Sequence, residues 1–439
     1  MRTHTILFCS AALALTTACG ETPTSSSFVD ETAASPPTEG GETPGATPSA
    51  IGVDGRASDP GPGSEDPRKQ RPDAPPTVVD ASIDDCPVAP LDGFGAISSF
   101  AAGAGGRVVA GITDGGDVVM VSRGPSGSAT KRVVSELHGA VAIATGDEHV
   151  CALMPNGTVT CAGAGRRWLG DSVGNSSFVV ESIDLSSRTT SPIVQIAAGG
   201  AASCALTTDR RVICWGLDNF VAGPGLVRHA PDDDERERVT LYELTNPFGS
   251  PVKQLATSGE HVCAALDDGR VTCFGNDSLG QLGNQNPAFL VGPAGTLETN
   301  PAHKSSKPLS LVPITDPANV VAVGYLDGCA LEASGIIECW GDNRNGQLGD
   351  MGVQPQALTP RALTLSALGL AGSVEEIVLD ERYACVRSTE GELACWGRVG
   401  TGAMTAPARV DLKGHSARSL RIVDERACAL LEDQRVCCY

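Results

Sequence analysis

Residues 263–274 read CAALDDGRVTCF, and this stretch decides the fold. Cys263 and Cys273 stand ten positions apart, with Asp267-Asp268-Gly269 midway between them. A short Gly-containing loop between two apolar runs is the signature of a β-hairpin. If the three central residues form the loop, the cysteines face each other across the ladder, as do the positions two residues inside them. Opposed Cα atoms at a non-hydrogen-bonded site lie about 4.5 Å apart, at the lower end of what a disulfide accepts. The unit recurs with the same spacing at Cys151/Cys161, Cys204/Cys214, Cys329/Cys339, Cys385/Cys395 and Cys428/Cys438. Val159, Val212, Val271, Ile337, Leu393 and Val436 stand two before each second cysteine, and Pro155-Asn156-Gly157 is another central turn. Each pair is therefore read as a cystine within one hairpin. A seventh copy lacks cysteine: Ala110 and Met120 take the paired positions, Ile112 opposes Val118, and Gly116 sits in the turn.

Alternation along a strand puts cystine and aliphatic pair on one face. Trp215, Phe274, Trp340, Trp396 and Tyr439, each following a second cysteine, then point to the other. A small sheet that is apolar on both faces must be sandwiched between copies of itself, which is how blades pack in a propeller. Gly 52 and Pro 29 against 4% aromatic residues also favour short strands joined by turns. The expected fold is all-β: a seven-bladed β-propeller over residues 86–439, with one intra-blade disulfide in most blades.

Gly275-Asn276 with Gly280-Gln281-Leu282-Gly283, and Gly341-Asp342-Asn343 with Gly346-Gln347-Leu348-Gly349, resemble the regulator of chromosome condensation repeat. The resemblance covers about residues 86 to 439, with degenerate copies such as Gly216 to Gly223, and implies a seven-bladed ring. Bacterial exported members of the family often carry such paired cysteines. Tyr439 follows directly on the second strand of the last hairpin, so the seventh blade needs an outer strand from elsewhere. Cys86-Pro87-Val88-Ala89 resembles the Pro-led outer strand of the repeat, and Ala96 to Ala102 the innermost strand of the next blade. A Cys86/Cys437 bridge is expected from this closure, the alternative being that Cys437 pairs with Cys428.

Arg2, the apolar run Ile6 to Leu15 and the small residues before Cys19 have the layout of a bacterial export signal. Ala18-Cys19-Gly20 resembles a lipoprotein cleavage box. Residues 1–18 are expected to be a lipoprotein-type signal peptide and Cys19 the lipidated residue, with an ordinary signal peptidase cut as the alternative. Residues 19–85, rich in Ser, Thr, Pro, Gly and acid, bury too little apolar surface to offset their ordering entropy and are read as a disordered tether. The expected address is the outer membrane or cell surface, alternatively a secreted or periplasmic one, with the membrane reached only through the lipid anchor. A net charge of −20 repels phosphate backbones, so no nucleic-acid partner is expected.

No phosphate-binding G-x-x-x-x-G-K, H-E-x-x-H or D-x-D-x-D-G loop occurs. No catalytic residue, cofactor or metal site is assigned, because zinc favours cysteines two to four residues apart. His149 and His261, two before a first cysteine, are read as structural surface histidines, and Asp232-Asp233-Asp234-Glu235 as a solvated loop. Asp380-Glu381-Arg382, echoed by Asp424-Glu425-Arg426, is read as blade architecture. The expected function is non-catalytic recognition of a protein or glycan by the loops at one end of the ring, the insertions near 217–250 and 284–308 above all. A protein-inhibitor or adhesion scaffold would be a concrete form. The alternative is a hydrolase or lyase acting on polysaccharide at the central channel, which needs paired carboxylates. Guanine nucleotide exchange, the activity of the eukaryotic namesake, ranks below both because export and acidity oppose it.

Overall fold

The computed structural model of the chain describes residues 79–80, 91–103, 107–124, 128–164, 168, 177–200, 202–216, 226–229, 241–244, 249–258, 261–291, 296–300, 310–398, 402–412, 414–423 and 426–438. The chain divides into Met1–Lys69 and Gln70–Tyr439. The expected signal peptide, Cys19, Cys86, the acidic run 232–235, Asp424, Glu425 and Tyr439 lie outside the described residues.

Seven antiparallel sheets follow one another along the second unit. Blade 5 shows the plan, with Ala318–Val323 innermost, then Asp327–Glu332, Ile337–Asp342 and Gln356–Leu363. Blade 1 repeats it in Ile97–Ala102, Val108–Thr113, Val118–Arg123 and Ala129–Val134. The innermost strands of the other blades are Ala142–Thr145, Ile193–Gly199, Val252–Ser258, Val374–Leu379 and Ala417–Val423. Blade 3 carries Leu226–His229 outside Leu241–Leu244, and blade 4 an inserted hairpin, Phe289–Val291 with Leu297–Thr299. Blade 7 has three strands among the described residues, the last being Val436–Cys438. Val79–Asp80, inside the stretch read as tether, forms a short parallel strand on Met404–Asp411 of blade 6. Two 3-10 turns, Ser135–Leu137 and Ser366–Leu368, are the longest helical elements among the described residues.

The register is the one the cysteine spacing demands. Cys263 opposes Cys273 and Ala265 opposes Val271; Cys151 opposes Cys161 and Leu153 opposes Val159. Cys204 opposes Cys214, Cys329 opposes Cys339, Cys385 opposes Cys395 and Cys428 opposes Cys438 in the same way. All six pairs are disulfides. Their Cα–Cα separations run from 3.9 Å at Cys428–Cys438 to 4.1 Å at Cys385–Cys395, closer than the roughly 4.5 Å expected of a plain opposed pair, because the covalent link draws the two strands together.

Regular pairing does not continue past the second cysteine in every blade. In blade 6 Cys395 opposes Ala408 on the outer strand, but Gly397 opposes Thr405, so the ladder shifts directly after Cys395. Blade 5 shifts likewise between Cys339 and Gly341. The glycine at each point has positive φ, which favours that residue over any with a side chain. Cys437 is also disulfide-bonded, and its partner lies outside the described residues. Since Cys428 is bonded to Cys438, the alternative Cys428–Cys437 pairing does not occur.

Alternation then builds the ring. The cystine face of each blade packs on the opposite face of the next: Cys204, Cys214 and Leu206 of blade 3 against Val262, Ala264 and Phe274 of blade 4. The same join recurs between Cys263/Cys273 and Trp340, and between Cys329/Cys339 and Trp396. Cys385 and Cys395 of blade 6 meet Ala427, Ala429 and Cys437 of blade 7. Cys428 and Cys438 close the circle against Val109, Val119 and Val121 of blade 1. Trp215, Phe274, Trp340 and Trp396 are fully buried, each burial contributing about 2–3 kcal/mol of apolar transfer free energy.

Candidate binding face and axial channel

In a four-stranded meander, the turn from first to second strand and the loop from third to fourth share one end of the blade. That end, here the loop end, carries the Gly-Gln-Leu-Gly segments. Their carbonyls reach the next blade: the Trp340 indole Nε1 donates to the Gln281 carbonyl at 3.0 Å, and Trp396 Nε1 to the Gln347 carbonyl at 2.8 Å. Asp277 and Asn343 hold the loops by accepting from the N–H groups of Leu282 and Leu348. In blade 2, Trp168 stacks on His149 with centroids 5.4 Å apart.

The inserted hairpin of blade 4 rises at the same end and is tied to blade 5 by Gln356. Its Nε2 donates to the carbonyls of Leu279 (2.7 Å) and Phe289 (3.1 Å), and its Oε1 accepts from Val291 N at 3.2 Å. The amide thus acts as a one-residue strand that caps the hairpin edge. Phe289 and Leu297 remain 38% and 51% exposed, and Val353 of the blade 5 loop 74%. Of the insertion near 217–250, residues 217–225, 230–240 and 245–248 lie outside the described residues.

Beneath this end the inner turns converge as a collar of small residues. A Cβ on Gly103 would sit 2.1 Å from the Gly146 carbonyl oxygen, and one on Gly324 2.0 Å from Asp327 Oδ1. His149 and His261, each the first residue of a second strand, tuck under the collar, which corrects their reading as surface groups: they are 0% and 1% exposed. That burial depends on turns from neighbouring blades meeting, which no local pattern records. His149 Nε2 lies 2.7 Å from Ser203 Oγ. Burial pushes His149 down to about 3 and His261 to about 4, so both rings are neutral near pH 7. Asp327, wholly buried, is pushed well above the carboxylate range, first by desolvation and then by Asp342 and Asp380. Gly324 N–H and the Gln347 amide face it and lower it somewhat, yet neither carboxyl oxygen has a hydrogen bond of regular geometry.

The innermost strands enclose an axial cavity of about 350 Å³. The cystines stand apart from it: Cys385 and Cys395, like the other ten hairpin cysteines, are buried between blades and line no part of its wall. Side-chain amides clasp neighbouring inner strands around the cavity. Gln195 exchanges two hydrogen bonds with Leu255 (2.7 and 2.9 Å), and Gln254 two with Val321 (2.9 and 2.8 Å). A register shift just before each glutamine re-aims it at the next blade. Blade 6 has Glu376 at this position; its Oε2 accepts from Leu420 N at 3.1 Å but cannot donate. Arg421 supplies the missing donor, reaching both Glu376 Oε1 and the Leu420 carbonyl. Arg387 adds Nε to Glu376 at 2.9 Å and also pairs with Glu375. Glu375 and Glu376 are thus both ion-paired with arginine. Among the described residues, no group of three or more His, Cys, Asp or Glu could hold a metal ion.

Fold and register together define a repeat propeller whose blades are clipped by cystines and joined through Gln-Leu-Gly loops. The model of the Regulator of chromosome condensation (RCC1) repeat matches residues 193–220 and 252–281, so the chain carries repeats of this family. Each match runs from an innermost strand into the loop end of blades 3 and 4. Protein pim1 of Schizosaccharomyces pombe is 28% identical over 246 residues, covering 53% of this chain and 43% of that protein. The chain spans less than half the length of the first curated relatives it matches. Human WBSCR16 shares the fold at 19% identity and a TM-score of 0.57, covering 74% of this chain and 85% of that one. Prp20p of Saccharomyces cerevisiae does so at 18% and 0.54, covering 74% and 80%; its structure was reported with its binding properties to Gsp1p and histones.

Proposed function

We propose that the protein is a non-catalytic recognition propeller that binds a protein or glycan partner through its loop end, outside the cytosol. The observation that carries this reading is the inserted hairpin, held rigidly by Gln356 yet presenting Phe289 and Leu297 to solvent. Exposed apolar side chains on a preorganised support are what interface anchors require. A relative such as Prp20p, reported with protein ligands, supports protein as the partner class. Six buried cystines favour an oxidising compartment. With the signal layout before Cys19, this supports an exported head on a lipid anchor at the outer membrane or cell surface. Cys86 is the proposed partner of Cys437, which would tie the two ends of the ring together. The paired state of Glu375 and Glu376 weighs against the polysaccharide-acting alternative. To test the reading, the exported full-length protein is immobilised and exposed to envelope extract. Wild type should retain a partner that a Phe289→Ser, Leu297→Ser variant releases; failure to retain any protein or glycan would overturn it.

A further inference from the structure

We propose that the axial channel is a binding site for an aliphatic ammonium chain, either a free linear polyamine or a lysine side chain of a partner. Three features of the cavity point to this chemistry, and none depends on the loop-end reading above.

The first is charge. Among the described residues lining the channel, Glu375, Glu376 and Asp380 are acidic and Arg421 is the one base. Arg421 is already committed to Glu376 and to the Leu420 carbonyl, and Arg387 behind the wall to Glu375 and Glu376, so three carboxylates face two committed arginines and the lining favours a cation. Glu375 is 42% exposed, and its ion pair with Arg387 leaves acceptor capacity on the carboxylate. The acidic field of the whole molecule acts in the same direction.

The second is a pair of unsatisfied hydroxyls. Thr145 Oγ1 and Ser258 Oγ line the cavity near its loop end, on residues 3% and 6% exposed, and neither has a hydrogen-bond partner among the described residues. Buried hydroxyls are normally satisfied, and leaving each unpaired costs about 1–3 kcal/mol, so a ligand that accepts or donates there recovers a real loss.

The third is the arrangement along the axis. Glu375 is the second residue of the innermost strand of blade 6 and Asp380 directly follows that strand, about 16 Å apart at the rise of an extended chain. Between these polar ends the wall is aliphatic, as at Ala144, Ala256 and Val321. An apolar waist with polar groups at both ends suits a linear methylene chain bearing ammonium groups, and a cavity of this size is in the range of small-ligand sites. The reach matches an extended tetra-amine such as spermine.

The test is titration calorimetry of the full-length protein with spermine and, separately, with Nα-acetyl-lysine amide. The expected result is a single site for at least one probe, weakened about tenfold or more by Glu375→Gln, the loss of one charged hydrogen bond. Ser258→Ala should weaken it less, and Glu432→Gln, an exposed carboxylate outside the channel lining, should leave it unchanged. Binding of spermine alone identifies a free polyamine, and binding of the lysine amide alone a partner's side chain. Absence of binding by both probes overturns the proposal. Equal weakening by Glu375→Gln and Glu432→Gln overturns it too, since that pattern is diffuse attraction to an acidic surface.

Discussion

Blades 5 and 1 are the same hairpin written in two chemistries. Cys329 opposes Cys339 in blade 5, where Ala110 opposes Met120 in blade 1; Leu331 opposes Ile337, where Ile112 opposes Val118. Trp340 is matched by Val121, and the buried Asp327 by Val108. Yet both hairpins hold the same register, and Ala110 and Met120 pack on Val150 and Ala152 of blade 2 as a cystine would. The cystine therefore does not create the blade. Alternating apolar faces do that, and the covalent clip is added to a sheet already specified by its pattern.

The comparison can be broken in graded steps. The largest effect is expected outside it, at the ring closure. Cys437→Ser removes a cross-link to a distant part of the chain, for which the chain-entropy model gives more than ~4 kcal/mol. Denaturant midpoints should show that loss, and one no larger than a hairpin cystine's would contradict a long-range closure. Next, Trp340→Val gives blade 5 the residue of blade 1 and orphans the Gln281 carbonyl, and should cost about 3 kcal/mol in the same assay. A loss under ~1 kcal/mol would show that the loop-to-indole bond does not join the blades.

Rewriting Cys329→Ala together with Cys339→Met should cost about 2–3 kcal/mol, the value for a short hairpin loop, and leave the circular dichroism of the sheet unchanged. The reverse change, Ala110→Cys with Met120→Cys, should yield a seventh hairpin cystine on peptide mapping. The smallest expected effect has the opposite sign. Asp327 has a raised native pKa, so the folded state holds a proton that the unfolded chain releases above about pH 4. The cost is absent below that pH, grows as pH rises, and levels once the native carboxyl ionises. Asp327→Asn should therefore raise Tm near pH 7 more than at pH 4; equal shifts at both would contradict the assignment.

What the sequence made legible is what a strand records locally. Cysteine spacing, aliphatic partners and the residue after each second cysteine set hairpin, register and faces, and Ala110/Met120 could be aligned without a sulfur atom. The features that escaped are made by neighbours. His149 and His261 are buried because turns of adjacent blades close over them, and Gln195 and Gln254 became clasps because a register shift turns them sideways. The slip after Cys395 escaped as well, since the spacing of the two cysteines describes only the inner hairpin and says nothing of how the outer strand meets it. Arg421 completes Glu376 from the next blade, forty-five positions away in the chain. Val79–Asp80 is too short to carry a strand pattern and is defined only by the edge of blade 6. The channel lining was equally invisible, since inner strands read as plain aliphatic runs until the ring gathers them.

Disulfide mapping of the native protein by mass spectrometry under non-reducing conditions bears most directly on the whole account. The expected result is six cross-linked peptides, each joining cysteines ten residues apart, from Cys151–Cys161 through Cys385–Cys395 to Cys428–Cys438, with Cys437 joined to a cysteine far upstream. Free thiols at these positions, or links between different hairpins, would contradict the cystine-clipped ring.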